Sequence, residues 1–168
     1  MSTLPTWLEP LARLEDFGGN PDAYIAHLFS IFERDFIKSQ PQFEGKRVFH
    51  DKANDGGKPR AFSHITTEED RKTKQRILSI RRCERISWIK AIIEHADDPA
   101  VLIWKQEQAT KKRWAARTYF FLEQEDFLVI LQEIKYGNYL ITAIYVDNPS
   151  QKQKHLKAHA KSQENQKP

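Results

Sequence analysis

One cysteine, Cys83, is all that the 168 residues contain, and this scarcity excludes an internal disulfide and any cysteine-based zinc site. Apolar runs are short as well. None nears the roughly 20 residues that a membrane span requires, and no basic and then hydrophobic signal region opens the chain. The sequence therefore reads as soluble and cytoplasmic, suited to a reducing compartment and without a membrane partner. Glycine is sparse, six in all. The pattern Gly56-Gly57-Lys58 lacks the spacing and the Ser or Thr of a phosphate-binding P-loop. There is no HExxH, no carboxylate cluster at fixed spacing, no dinucleotide fingerprint and no Ser in a nucleophile elbow. Any catalysis is left to positioned His, Arg, Lys, Tyr and Thr groups, with neither metal nor cofactor.

Charge is what the chain does have. Lys and Arg outnumber Asp and Glu by 27 to 23, a formal net charge of +4, which permits a nucleic-acid partner without requiring one. The excess is clustered: residues 71 to 90 are crowded with Arg and Lys around one acid, Glu84. Lys152 to Lys161 holds four Lys and two His with no acid. The length suits one domain with a real core. The chain divides into an N-terminal helical segment, 1–40, a main domain, 41–160, and a disordered tail, 161–168.

Three runs, Trp114 to Leu122, Asp126 to Ile134 and Tyr139 to Val146, are rich in aromatic and β-branched residues and separated by short turn-type breaks, the pattern of an antiparallel meander. The middle run is apolar on both faces, which predicts a central strand covered on both sides. Val101 to Lys105 supplies a fourth strand, joined by a hairpin loop from Gln106 to Lys112. Upstream, helices are predicted from Trp7 to Leu14, from Pro21 to about Lys38 behind an Asn20 cap, and from about Arg71 to Ala96. Lys46 to His50 reads as a short strand, and Ala61 to Ile65 as an extended segment. A basic helix from Asp147 to about Ala160 closes the chain. Helices first, then four antiparallel strands, then a basic helix make a segregated α+β layout.

The long helix predicted over residues 71–96 carries an anomaly. Ile77, Leu78, Ile86, Trp88, Ile89, Ile92 and Ile93 share one broad arc, and Arg85 falls near its middle with Arg81 and Arg82 inside it. An arginine on a packing face is costly unless it is paired or lines a wet cleft. Two readings follow: an ion pair with Glu84 or a sheet carboxylate, or a guanidinium that reaches a site and holds an anion. Cys83 reads as a helix residue without a chemical role, and His27 and His50 as ordinary polar residues.

The available groups suit metal-free RNA cleavage. There the 2′-hydroxyl attacks the adjacent phosphorus, so one proton is taken, one is given to the leaving 5′-oxygen, and a dianionic phosphorane is stabilised. Histidine transfers protons near neutral pH, Arg or Lys neutralises the developing charge, and Tyr or Thr donates hydrogen bonds. His64, Arg85, Arg117, Tyr119 and Thr142 are of the needed types. Basic proteins that only bind RNA carry the same groups, as do sheets that bind protein partners through exposed aromatics such as Trp104 and Trp114.

The ordered set Phe62-Ser63-His64-Ile65-Thr66, Arg82 to Ile89 leading to Ile92-Ile93-Glu94, Arg117-Thr118-Tyr119-Phe120, Asp126 to Leu131 and Leu140 to Tyr145 resembles the phage-associated branch of the ribonuclease superfamily that groups barnase with EndoU, colicin-type and RelE ribonucleases. The resemblance covers roughly residues 45 to 160. It implies an α+β fold with helices packed on a four-stranded antiparallel sheet. It also implies a metal-independent endoribonuclease site on the open face of that sheet, acting on tRNA or other structured RNA in a toxin or phage-conflict setting. Carried over by position, the catalytic set is His64, Arg85, Arg117, Tyr119 and Thr142, with His155 in the final helix as a second histidine. Lys58, Arg60, Arg81, Arg82, Lys152, Lys154 and Lys157 are the cations that would meet RNA, and an acidic inhibitor would cover them. Non-catalytic alternatives on the same fold are an RNA-binding module, or a protein-interaction component of antitoxin, immunity or phage structural type.

Overall fold

A computed structural model describes residues 3–111 and 114–165 of the chain. Asn20 starts the first helix as its side chain predicts, with Oδ1 accepting from the backbone N–H groups of Asp22 and Ala23 at 3.0 and 3.2 Å. Helix α1 (Pro21–Phe32) runs on into a π-helical turn, Glu33–Ile37. Strands β1 (Gln42–Phe43) and β2 (Lys46–Phe49) form a hairpin, and β3 (Asn54–Asp55) pairs with β4 (Lys58–Pro59) in the following loop. Then come α2 (Arg60–Thr66), the two-stranded sheet of β5 (Thr67–Glu69) and β6 (Arg76–Leu78), and the short helices α3 (Ile80–Glu84) and α4 (Trp88–Glu94). The meander is β7 (Val101–Ala109), β8 (Trp114–Leu122), β9 (Phe127–Ile134) and β10 (Gly137–Tyr145), and α5 (Pro149–Asn165) follows it.

The architecture corrects the prediction of N-terminal helices on a four-stranded antiparallel sheet. The main sheet is a curled one of six strands in the order β1-β2-β10-β9-β8-β7, and β2 joins β10 in parallel. That join is non-local, so no turn signal announces it. It depends on Gly137: a Cβ there would lie 2.7 Å from the Arg47 carbonyl oxygen and 2.9 Å from the Phe49 ring. The helices against the sheet are also not only N-terminal. Tyr24, Leu28, Phe32 and Phe36 from residues 1–40 share one apolar cluster with Phe62 and Ile65 of α2, Trp88, Ile89 and Ile92 of α4, and Phe120, Phe127, Val129, Leu131 and Leu140 of the sheet. The opposite face is not open throughout. Trp104, Tyr119, Phe121 and Leu128 pack beneath Leu156 and Ala158 of α5.

Four local predictions also give way. Trp7 to Arg13 is not helical, and only a 3-10 turn, Leu14–Phe17, follows, because Pro10 withholds a donor and the segment bonds outward instead: Trp7 Nε1 donates to Asp98 at 2.9 Å and the Ala12 N–H to the Glu84 carbonyl at 2.9 Å. Ala61 to Ile65 is helical rather than extended, since Ala61, Phe62 and Ile65 bury one helical face, and the Thr66 hydroxyl donates back to the Phe62 carbonyl at 2.8 Å. The single helix over 71–96 is broken at its start. Asp70 Oδ1 accepts from the N–H groups of Lys72 and Thr73, Lys74 adopts φ 62°, and Ser79 caps a new helix by accepting from the Arg82 N–H. The last helix extends to Asn165, past the predicted end near 160 and into the stretch read as a disordered tail. Residues 166–168 of that tail, and Lys112 of the predicted hairpin loop, lie outside the described residues. Among the described residues no helix is long and apolar enough to cross a membrane.

Gly137→Ala places a methyl group against backbone and an aromatic ring, and overpacking of this kind costs about 1–3 kcal/mol. The urea midpoint should fall accordingly, with loss of the β2–β10 pairing; an unchanged midpoint would contradict the close approach at this junction.

Candidate functional site

Strand β2 accompanies β10 only at Val48 opposite Asn138 and Phe49 opposite Tyr139. It then turns away, and β10 beyond it is met by α2 and, towards Tyr145, by α3. Between them lies a cavity of about 260 Å³ lined by Asp51, Arg60, Ala61, His64, Ile65, Tyr139, Leu140 and Ile141. A bulge between Leu140 and Thr142 bends β10 at this point, a device that re-aims side chains beside functional sites. Asp51 ties the walls together. Its carboxylate lies 3.5 Å from the Arg60 guanidinium and accepts from the Ala53 N–H at 2.9 Å, while its carbonyl accepts from the Ala61 N–H at 3.1 Å.

Of the four polar residues that line the cavity, electrostatics distinguishes His64 and Tyr139. His64 is solvent-accessible at the mouth, yet its pKa is held below the usual imidazole value, first by the protein packed around the ring and then by the positive charges of Arg76 and Arg82. Both arginines donate to the His64 carbonyl, at 3.2 and 3.1 Å, and to that of Thr67, at 2.7 Å each, so they also anchor the end of α2. Tyr139 is pushed above its ordinary value by burial and then by Asp51. At neutral pH the cavity thus presents a neutral imidazole able to take a proton, a phenol that keeps its proton, and an exposed guanidinium beside the Asp51 carboxylate.

Tyr139 connects this cavity to the sheet face that holds other predicted residues. Residues directly opposite on neighbouring strands share a face. One such row runs Tyr139, Gln132, Arg117, Gln106, and the next runs Thr142, Ile130, Tyr119, Trp104. Arg117 donates from Nε to Gln132 Oε1 at 3.2 Å, and the Tyr119 hydroxyl donates to Gln108 Oε1 at 3.2 Å. His155 leans over the second row from α5, its ring centroid 6.4 Å from Tyr119 and 6.2 Å from Trp104. Burial and then the charge of Lys154 lower its pKa. So Arg117, Tyr119, Thr142 and His155 gather on one face, and His64 adjoins them through Tyr139.

Arg85 is not brought to this face. It is 4% exposed, its guanidinium over the rings of Trp88 at 5.3 Å and Tyr145 at 5.0 Å. Nη1 donates to the Arg81 carbonyl at 3.0 Å and lies 3.6 Å from the Glu84 carboxylate. Of the predicted RNA contacts, only Arg60 lines the cavity, with Arg82 bonded beside it. Arg81 lies over Tyr145 at 5.2 Å, Lys58 over Phe29 at 5.4 Å, and Lys152 pairs with Asp126 at 2.7 Å, whereas Lys154 and Lys157 are exposed on α5. Sequence reasoning missed Asp51, Tyr139 and Gln132. Tyr139 and Gln132 read as ordinary strand residues, and only the pairing of β10 with both β2 and β9 gives them a place. Among the described residues no group of three or more His, Cys, Asp or Glu is arranged to hold a metal ion.

Three histidines, His50, His64 and His155, have pKa values lowered from 6.5. The unfolded chain therefore binds protons that the folded one refuses. Their stabilisation is fully present above about pH 6.5 and is lost as pH falls from there through the lowered folded values. His50, buried against Phe32 and Phe36, should dominate. The urea midpoint should drop between pH 7.5 and 5; a flat profile, or NMR titration of these imidazoles at or above 6.5, would refute it. No family model, curated protein or solved structure matches this chain.

Proposed function

We propose that the chain is an endoribonuclease that cleaves RNA by internal attack of the 2′-hydroxyl, without a metal in the chemistry. The observation that carries this reading is the convergence of His64, Arg60 and Tyr139 on one cavity beside a half-exposed polar sheet face. His64, neutral at physiological pH, takes the 2′-hydroxyl proton as the 2′-oxygen bonds to phosphorus. Arg60 meets the non-bridging oxygens as their charge grows. The bond from phosphorus to the 5′-oxygen then breaks, and Tyr139 gives its hydroxyl proton to the leaving oxygen. His64 returns its proton to the tyrosinate through solvent, leaving a 2′,3′-cyclic phosphate and a 5′-hydroxyl. Arg117 on β8, and the exposed Lys154 and Lys157 on the α5 helix that covers part of the same sheet face, add positive charge. This role does not include Arg85, whose enclosed guanidinium holds Tyr145 and Trp88 in place.

The test is incubation of the purified chain with total tRNA and with a single-stranded RNA in EDTA. Wild type should give fragments ending in 2′,3′-cyclic phosphate. His64→Ala should lower the rate by about a hundredfold or more while RNA affinity, carried by the cations, changes little. Arg85→Met should leave the fragment pattern unaltered. Intact RNA with folded wild-type protein would refute the reading. Growth arrest on expression of wild type but not of His64→Ala would extend it to a toxin, with tRNA as a candidate target; equal growth would remove that extension.

A further inference from the structure

Three glutamines stand on one sheet face, Gln132 next to the cavity and Gln106 and Gln108 on β7 at the far edge, and each has its carbonyl end occupied. Gln132 Oε1 accepts from Arg117 Nε at 3.2 Å, Gln106 Oε1 from Trp104 Nε1 at 3.1 Å, and Gln108 Oε1 from the Tyr119 hydroxyl at 3.2 Å. A side-chain amide has one acceptor end and one donor end. Arginine and an indole N–H can only donate, so they fix the amides of Gln132 and Gln106 with the oxygen towards the bond and the NH₂ group free of it, whereas the Tyr119 hydroxyl, able to donate or accept, leaves Gln108 unfixed. The result is a face that offers donors. Gln132 matters most, because it is directly opposite Tyr139, whose side chain lines the cavity, and it is half-buried between Tyr139 and Arg117.

We infer that Gln132 and Tyr139 form a base subsite that selects keto bases, guanine and uracil, over the amino bases adenine and cytosine. This rests on the ribonuclease reading for its substrate class and adds the identity of the nucleotide. With the ribose and phosphate at His64 and Arg60, the base lies along Tyr139 and turns its exocyclic group towards Gln132. An exocyclic oxygen accepts from the Gln132 NH₂. An exocyclic amino group there brings donor against donor and leaves both unpaired, a loss that corresponds to roughly tenfold in affinity. Arg117 is a positioning residue for this selection: it fixes which end of the amide faces the base.

The experiment is a chemical-shift titration of the full-length chain with 3′-GMP, 3′-IMP, 3′-UMP, 3′-AMP and 3′-CMP, each in excess. Inosine differs from adenine by a keto group where adenine has the amino group, so it isolates the proposed contact. GMP, IMP and UMP should bind about tenfold tighter than AMP and CMP and shift the Gln132 side-chain amide. Gln132→Glu replaces the donor by an acceptor and should reverse the order, while Gln132→Met, similar in shape and without donors, should abolish the preference. Equal affinity for all five, absence of binding, or binding that leaves the Gln132 amide unmoved would each overturn the inference. Keto-selective binding by a chain that cleaves no RNA would uphold the subsite and refute the nuclease. RNA cleavage indifferent to base, with no shift at Gln132, would do the reverse.

Discussion

No side chain fits at position 137, and that steric fact sets the shape of the site. A glycine there lets the β2 backbone close on β10 for two residue pairs. Because the pairing ends at Tyr139, the strand edge beyond it is left for α2 to face across a gap. The cavity occupies that gap. Tyr139 belongs to three environments at once: the parallel pair with Phe49, the row shared with Gln132 and Arg117, and the cavity wall opposite α2.

The charges around the cavity are arranged by backbone needs as much as by chemistry. The end of α2 leaves carbonyls unsatisfied, and Arg76 and Arg82 satisfy those of His64 and Thr67. The same two guanidinium groups disfavour protonation of the imidazole that hangs from that helical turn. A structural repair at a helix terminus thus tunes a titratable group. Three residues after Arg82, Arg85 shows the opposite outcome, an arginine whose contacts with Trp88, Tyr145, Glu84 and the Arg81 carbonyl leave it enclosed.

The strands of the meander were legible because their signal is local: alternation, β-branched content and short polar breaks placed β8, β9 and β10 to within a residue or two. The same holds for α1, announced by Asn20 and Pro21. What was not legible is non-local or competitive. Apolar spacing over residues 71–96 suited one helix, but the Asp70 side chain captured the backbone first, and the arc of residues was divided between a strand and two helices. The sequence signal of Phe62 to Thr66 does not separate strand from helix; burial of Ala61, Phe62 and Ile65 decides it. At the candidate site, residue type admitted His64, Arg117, Tyr119 and Thr142, and it was the family resemblance that picked those positions out. It was silent on Tyr139 and Gln132, whose significance comes from register, and it left the ion-pair reading of Arg85 open beside the anion-holding one.

The parallel pair of Val48 with Asn138 joins positions that are roughly ninety residues apart in the chain. Closing so long a loop is entropically slow compared with forming the hairpins on either side of it. His64 and Arg60 come from the first half of the polypeptide, Tyr139 from the last quarter. The cavity wall that Tyr139 supplies therefore forms only once β10 has been made and paired with β2, late relative to the local hairpins.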